Sequence, residues 1–461
     1  MTRTLFAALL LTSAAMPALA EDAPAEPRAK NVILFIGDGM GISTITAARI
    51  YEAQKRGETG EENVLSFERF PNLALVKTYN TNAQVPDSAG TATAIHSGLK
   101  TRIGVLGIGP DAEKGVCKDA LAHPLPLLGE EVKARGLALG IVTTTRITHA
   151  TPASVYSRSA DRDWESDTNI PADQQGQGCK DIALQLAEAR FDVALGGGTA
   201  MFYGKQAGGR RGDAAADLPG AWAAKNGGVV VKSAAELAAA PMDKPVLGLF
   251  HPSHMSFMDE RKADSTEPTL TDMTAQAIAR LEADPDGFYL MVEGGRIDHG
   301  HHAGQAGFAL EEAVEFARAV QWAVDHTNPA ETLIMVTADH SHVFTIAGYP
   351  KRGNDILGLV VPPKGSGEDG GDGVSPLLAA DGKPYTTLGY ANGPGAVSGE
   401  RPVPQTGIAA RQQSLVPTGI ETHGGEDVAL FATGPGADRA RGVIEQNVIY
   451  SIIRKALGWE K

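Results

Sequence analysis

Six apolar runs rich in β-branched residues, at 32–36, 138–142, 191–195, 288–292, 332–336 and 428–431, are each followed almost at once by polar or glycine-rich chain. Runs this short and this apolar suit strands buried on both faces of a parallel sheet, with loops opening at their carboxyl ends. Helical patterns lie between them: Leu310, Val314, Ala317, Val320 and Val324 recur three and four apart and mark one apolar helix face. The alternation predicts an α/β fold of three layers, a mostly parallel central sheet with helices on both faces, which binds ligands beyond the carboxyl ends of its strands. The rhythm breaks at 348–422, where 364–373 is almost all glycine and charge and Pro and Gly recur as far as Pro417. That stretch reads as an insertion carried by the main domain, with a long disordered loop as the alternative.

The chain of 461 residues, 43% of them hydrophobic, is long enough for one large domain or two medium ones. Arg3, an apolar run from Leu5 to Leu11, and Ala18-Leu19-Ala20 ahead of Glu21 follow the plan of a secretory signal peptide. The expected organisation is a leader over 1–20, a linker over 21–30 and the main domain over 31–461. Nothing later reads as a transmembrane helix, and the C-terminal residues lack the apolar tail of a lipid-anchor signal, so a mature protein in the periplasm or the medium is expected. In such a compartment the two cysteines, Cys117 and Cys179, either pair or stand as unrelated thiols. The formal charge of −14 repels nucleic acid and anionic membranes, so an anionic substrate would need strong local positive charge, which a metal cluster can provide.

The densest chemical cluster is Glu293-Gly294-Gly295-Arg296-Ile297-Asp298-His299-Gly300-His301-His302, with three histidines and two acids in ten residues directly after an apolar run. Oxygen and nitrogen donors at this density suit Zn²⁺, while Glu293 could serve a harder ion such as Mg²⁺. Asp298 and His302 are four apart, so an incipient helix would bring both to one face. Asp339-His340-Ser341-His342, His423 in Thr422-His423-Gly424, and Asp38 between Gly37 and Gly39 lie beside other apolar runs. Each is a weak signal alone and a stronger one at a shared edge. Ser88, in Pro86-Asp87-Ser88-Ala89-Gly90, precedes small helix-compatible residues. Its hydroxyl would meet the positive end of a helix, where an alkoxide or a phosphoryl group is favoured; simple capping by Asp87 or Ser88 reads the segment equally well. After the run at 138–142 come His149, Thr151, Arg158 and Arg162. A guanidinium grips two phosphate oxygens in a planar fork, and spacing alone does not choose between the two arginines.

Together these segments resemble the alkaline phosphatase family, whose motifs occur in the same order: Gly37-Asp38-Gly39-Met40-Gly41, Asp87-Ser88-Ala89, His149-Ala150-Thr151-Pro152-Ala153, Glu293 to His302, Asp339 to His342, and His423-Gly424-Gly425-Glu426-Asp427. The resemblance implies a phosphate-monoester hydrolase in which Ser88 becomes a phosphoserine, with a superfamily phosphodiesterase or sulfatase as the alternative. It implies two Zn²⁺ and one Mg²⁺: one zinc on Asp298, His302 and His423, the other on Asp38, Asp339, His340 and Ser88, and magnesium on Asp38, Thr151 and Glu293. Arg162, in Arg162-Asp163-Trp164-Glu165-Ser166-Asp167, becomes the phosphate clamp, and His149 and His299 tune the magnesium and phosphate surroundings. The same likeness implies a Cys117–Cys179 disulfide, a crown-like insertion at about 348–422, and a homodimer. Two departures count: Phe250-His251-Pro252-Ser253-His254-Met255 puts His251 where animal members carry a carboxylate, so their peripheral Ca²⁺ is not expected, and their lipid-anchor tail is missing.

Overall fold

The computed structural model describes residues 28–366 and 371–460; the leader expected over 1–20 lies outside them. Of the expected linker, residues 28–30 are described: the Ala29 N–H donates to the Ala456 carbonyl at 2.8 Å and Lys30 N–H to that of Glu331 at 2.8 Å. Ten strands form one sheet: β1 (Asn31–Gly37), β2 (Asn72–Lys77), β3 (Ala138–Arg146), β4 (Val193–Gly197), β5 (Val229–Val231), β6 (Val246–Leu249), β7 (Phe288–Glu293), β8 (Thr332–Ala338), β9 (Val428–Thr433) and β10 (Gly442–Glu445), in the spatial order β10-β2-β9-β8-β1-β7-β3-β4-β6-β5. Every pairing is parallel except those of β9, which runs antiparallel to both β2 and β8. All positions of β1, β7 and β8 are buried, as their unbroken apolar runs require.

The run at 428–431 therefore departs from the parallel reading. Its chain reaches the sheet from the carboxyl edge, so β9 runs away from that edge and Gly434-Pro435-Gly436 falls at the opposite one, with no part in the chemistry. Four strands lacked a legible run. β2 alternates exposed and buried side chains, and Leu73 and Leu75 on its open face lie with Val443 of β10 in solvent. β5, β6 and β10 are only three or four residues long.

Helices cover both faces, and register shows it. Phe35 of β1 meets Phe316 of the helix Ala306–His326 edge-on at 5.8 Å between ring centres. Val32, three residues earlier and so on the other face, is the register partner of Tyr289 in β7, whose hydroxyl bonds His96 of the helix Ser88–Ser97. In chain order, helices around the sheet include α1 (Ile42–Gln54), α2 (Ser88–Ser97), α3 (Ala150–Ala153), α4 (Leu270–Leu281), α5 (Arg296–His302) and α6 (Ala306–His326). On α6 the expected apolar face holds: Leu310, Val314, Ala317 and Val320 are buried, and Val324 packs against the core from its edge.

Residues 348–422 include two strands, Leu388–Gly393 and Ser414–Pro417, which extend Phe344–Ile346 into a three-stranded sheet. This unit rests on the α5–α6 junction, where the Ala306 N–H donates to the Gln412 side chain at 2.7 Å and the Glu421 N–H to the His302 carbonyl at 3.0 Å. Cys117 and Cys179 form a disulfide across 62 residues. Among the described residues no helix is long and apolar enough to cross a membrane.

Candidate active site

β7, β1 and β8 are adjacent, so the residues at their carboxyl ends converge. Asp38 follows β1, Glu293 closes β7, and Asp339 and His340 follow β8. His423 arrives from another direction, through a two-residue bridge in which His423-Gly424 pairs antiparallel with Ser341-His342. One turn of α5 aligns Asp298 with His302, as the spacing of four predicts.

Hydrogen bonds fix the tautomers of the two partly exposed histidines. His302 Nδ1 meets the Glu421 carbonyl at 2.6 Å and His423 Nδ1 the Pro86 carbonyl at 2.8 Å, so both Nδ1 atoms carry the proton. Their Nε2 lone pairs then face each other at 3.1 Å, with Asp298 Oδ1 at 3.2 Å from the first and 3.4 Å from the second. Acceptors so placed repel one another unless a cation shares them. A second cluster gathers around His340, whose Nε2 lies 3.2 Å from Ser88 Oγ, 3.4 Å from Asp38 Oδ1 and 3.2 Å from Asp339 Oδ2. A third combines Asp38, Glu293 and His149, with the Thr151 hydroxyl beside Glu293.

Both Asp38 oxygens, Glu293 Oε1 and Thr151 Oγ1 are buried with no hydrogen-bond partner of good geometry. Left unpaired, each would cost about 1–3 kcal/mol. Burial, and then the neighbouring Asp339, Asp298 and Glu293, push the Asp38 carboxyl well above the usual range, and burial lifts Glu293 to about 7. Dry, mutually repelling oxygens with unshared lone pairs fit hard or borderline divalent cations. Asp298 goes the other way: burial opposes its ionisation, but His302 and His342 outweigh that and hold its carboxyl well below the ordinary value.

Ser88 opens α2 and is 2% exposed. The capping role falls to Asp87, whose Oδ1 accepts from the Gly90 N–H at 3.1 Å and the Gly104 N–H at 3.0 Å, leaving the Ser88 hydroxyl for the site. Asp87 Oδ2 also receives Arg162 Nη1 at 3.1 Å, while Arg162 Nη2 meets His149 Nε2 at 3.1 Å. Burial works against the Asp87 carboxylate, yet Arg162 and the two backbone donors hold its pKa below the ordinary value. The tertiary fold thus distinguishes the two arginines. Arg158 turns away and forks onto Glu130 at 2.7 and 2.6 Å.

His149 and His299 lie 5.6 Å apart between ring centres, joined by His254, 4.1 Å from His299. His254, in the departing segment, is a neighbour that the sequence did not mark. His251 instead sits where its carbonyl accepts from Gly198 and Thr199, at 2.8 and 3.0 Å. Two further residues escaped the sequence reading. His342 reaches Asp298 Oδ1 with Nε2 at 2.8 Å and Glu421 with Nδ1, and these two acceptors outweigh burial to raise its pKa to about 10. Its place in the Asp339 to His342 motif was a usable signal; Glu421, buried and two residues before His423, had none.

Converging nitrogen and oxygen lone pairs in three adjoining groups are what divalent cations need, so the fold and site together define an α/β protein with candidate divalent-metal sites around a buried serine. The comparisons with known proteins are more specific. The family model described as alkaline phosphatase matches residues 29–459. The tissue-nonspecific alkaline phosphatase of Gallus gallus is 46% identical over 91% of this chain and 83% of its own, and that of Homo sapiens 44% over 93% and 83%. Among solved structures, alkaline phosphatase from Thermus thermophilus shares the fold at a TM-score of 0.69, with 24% identity over 97% of this chain and 96% of its own. That from the Antarctic bacterium TAB5 does so at 0.65, with 23% identity over 95% and 100%. The chain belongs to the alkaline phosphatase family.

Proposed function

We propose that this protein hydrolyses phosphate monoesters by way of a phosphoserine at Ser88. The observation that carries the reading is Ser88 Oγ at 3.2 Å from His340 Nε2, at the start of a buried helix and among unpaired carboxylate oxygens. Asp298, His302 and His423 would hold one Zn²⁺, Asp38, Asp339, His340 and Ser88 a second, and Asp38, Thr151 and Glu293 a Mg²⁺. Bound there, the ions would lower the pKa of the serine hydroxyl and offset charge on the phosphoryl oxygens. Ser88 Oγ attacks phosphorus in line and the alcohol leaves; water then displaces Ser88 from the opposite side, so configuration at phosphorus is retained.

The protein's own side chains supply position. Arg162, held by Asp87 and His149, presents a fixed guanidinium to two phosphoryl oxygens, and His149 and His299 line the same wall. Four carboxylates and the Ser88 alkoxide nearly neutralise three divalent ions, so Arg162 tips the balance towards a dianion despite the acidic surface. Export to the periplasm or the medium fits the leader, and the insertion at 348–422 suits a homodimer contact, since Tyr349, Leu415 and Ile420 are exposed.

Rates on nitrophenyl phosphate, the bis-nitrophenyl diester and nitrophenyl sulfate, measured on one zinc- and magnesium-loaded preparation, test the reading. The monoester is expected to turn over fastest by several decades. A faster diester or sulfate would move the protein to one of the neighbouring activities.

A further inference from the structure

Behind the site lies a buried chain of hydrogen bonds that the reaction does not use. His96, on the inner face of α2, places Nε2 2.9 Å from the Tyr289 hydroxyl and Nδ1 2.8 Å from Ser154 Oγ and 3.1 Å from the Ala92 carbonyl. Ser154 Oγ in turn lies 2.7 Å from the Thr151 carbonyl. His96, Tyr289, Ser154 and Thr151 are all fully buried.

The direction of each bond follows from counting protons. The one Ser154 hydroxyl proton goes to the Thr151 carbonyl, which can only accept, so Ser154 Oγ accepts from His96 Nδ1–H. Nε2 is then a bare lone pair and receives the Tyr289 O–H. The chain runs one way, from Tyr289 through His96 and Ser154 to the backbone of Thr151. Burial pushes the His96 pKa down to about 4 and that of Tyr289 well above its ordinary value, so the network stays neutral over the working pH range.

Its ends matter because of what they carry. Tyr289 is four residues before Glu293 on β7, and on the same face of the sheet. His96 is on the helix that begins with Ser88. Thr151 sits in α3, a single turn of four residues that is too short to hold its own shape and takes its orientation from what it is tied to.

We propose that His96 is a positioning residue: by joining β7, α2 and α3 it fixes the Thr151 hydroxyl against Glu293 and so sets the affinity of the third metal site. This rests on the reading that Thr151, Glu293 and Asp38 hold a Mg²⁺. His96 hydrogen-bonds Ala92, Tyr289 and Ser154 and none of the three.

The test measures metal rather than turnover. Wild type, His96→Leu, His96→Asn, Tyr289→Phe and Ser154→Ala are loaded with Zn²⁺ and Mg²⁺ and dialysed. Bound metals are then counted by mass spectrometry, and Mg²⁺ affinity of the zinc-loaded proteins is measured by calorimetry. His96→Leu and Ser154→Ala are expected to keep both zincs and bind Mg²⁺ about 10–100-fold more weakly, the usual range for a lost partner behind a ligand. His96→Asn, whose amide can still donate towards Ser154, is expected to recover part of that loss. Tyr289→Phe and Ser154→Ala remove one hydroxyl each, so they keep the test open should His96→Leu fail to fold. Unchanged Mg²⁺ affinity in Ser154→Ala and Tyr289→Phe, or equal loss of zinc and magnesium, overturns the proposal. A wild type that holds two zincs and no third ion overturns the three-metal reading itself, an outcome distinct from a wild type with three ions and variants that keep them.

Discussion

Arg162→Ala should separate the phosphate clamp from the metal cluster. In the folded protein Arg162 spends one N–H on Asp87 at 3.1 Å and another on His149 at 3.1 Å, which aims the rest of its fork at the space above Ser88. Losing two charge-assisted hydrogen bonds to the phosphoryl group, each worth about 1.5–3 kcal/mol, should cost roughly 3–6 kcal/mol in the transition state. At about 1.4 kcal/mol per decade this is a fall of about two to four decades in kcat/KM for a monoester, with weaker inhibition by inorganic phosphate. Arg162→Lys keeps the charge and loses the fork, so about one decade is expected. None of the proposed ligands bonds Arg162, and bound zinc and magnesium should not change. The same variant removes a partner from the buried Asp87 carboxylate, and a stability loss of about 1–3 kcal/mol should appear in urea unfolding. Arg158→Ala is the control: its fork is spent on Glu130, and kcat/KM should stay within about threefold of wild type. A loss below about threefold in fully metallated Arg162→Ala, or an equal loss in Arg158→Ala, would refute the reasoning.

Two further outcomes follow from the site. With Glu293 lifted to about 7 in the folded, metal-free protein against an ordinary 4.5, its protonated form contributes stability that is whole below pH 4.5 and is lost as pH rises through 7. Metal-stripped protein should therefore unfold more easily at pH 7.5 than at pH 5 by up to about 3 kcal/mol from this group, and Glu293→Gln should flatten that slope in chemical-denaturation curves. Gly39 has φ +70°, and an added Cβ would lie 2.4 Å from His342 Nε2 and 3.2 Å from Asp298 Cα. Gly39→Ala should displace both, lowering zinc content and reducing kcat/KM by at least about one decade when variant and wild type are compared at the same sub-saturating zinc concentration.

The fold was legible where burial is complete. β1, β3, β7 and β8 are sealed on both faces, and selection for apolar, β-branched residues there leaves runs that end where the chemistry begins. At the sheet margins that pressure is halved, so β2 and β10 read as ordinary surface chain, and orientation was lost with them: a run of four apolar residues looks the same in either direction, and β9 runs opposite to its neighbours. Residues of the site were legible when neighbours in sequence share a task, as in Asp298 and His302. The choice of Arg162 over Arg158 needed either the family likeness or the packing that gives Arg158 to Glu130. Glu421 and His96 act through contacts 79 and 193 residues away, to His342 and Tyr289, and no local pattern announces such bonds.

The most direct measurement is of covalent phosphate on Ser88. Loaded enzyme mixed with excess inorganic phosphate or a monoester and quenched in acid should yield a phosphorylated peptide containing Ser88, located by fragmentation in the mass spectrometer. Ser88→Ala, with its zinc and magnesium retained, should yield none. A phosphopeptide elsewhere in the chain, label persisting in metal-loaded Ser88→Ala, or wild-type turnover with no label under any quench would contradict the account.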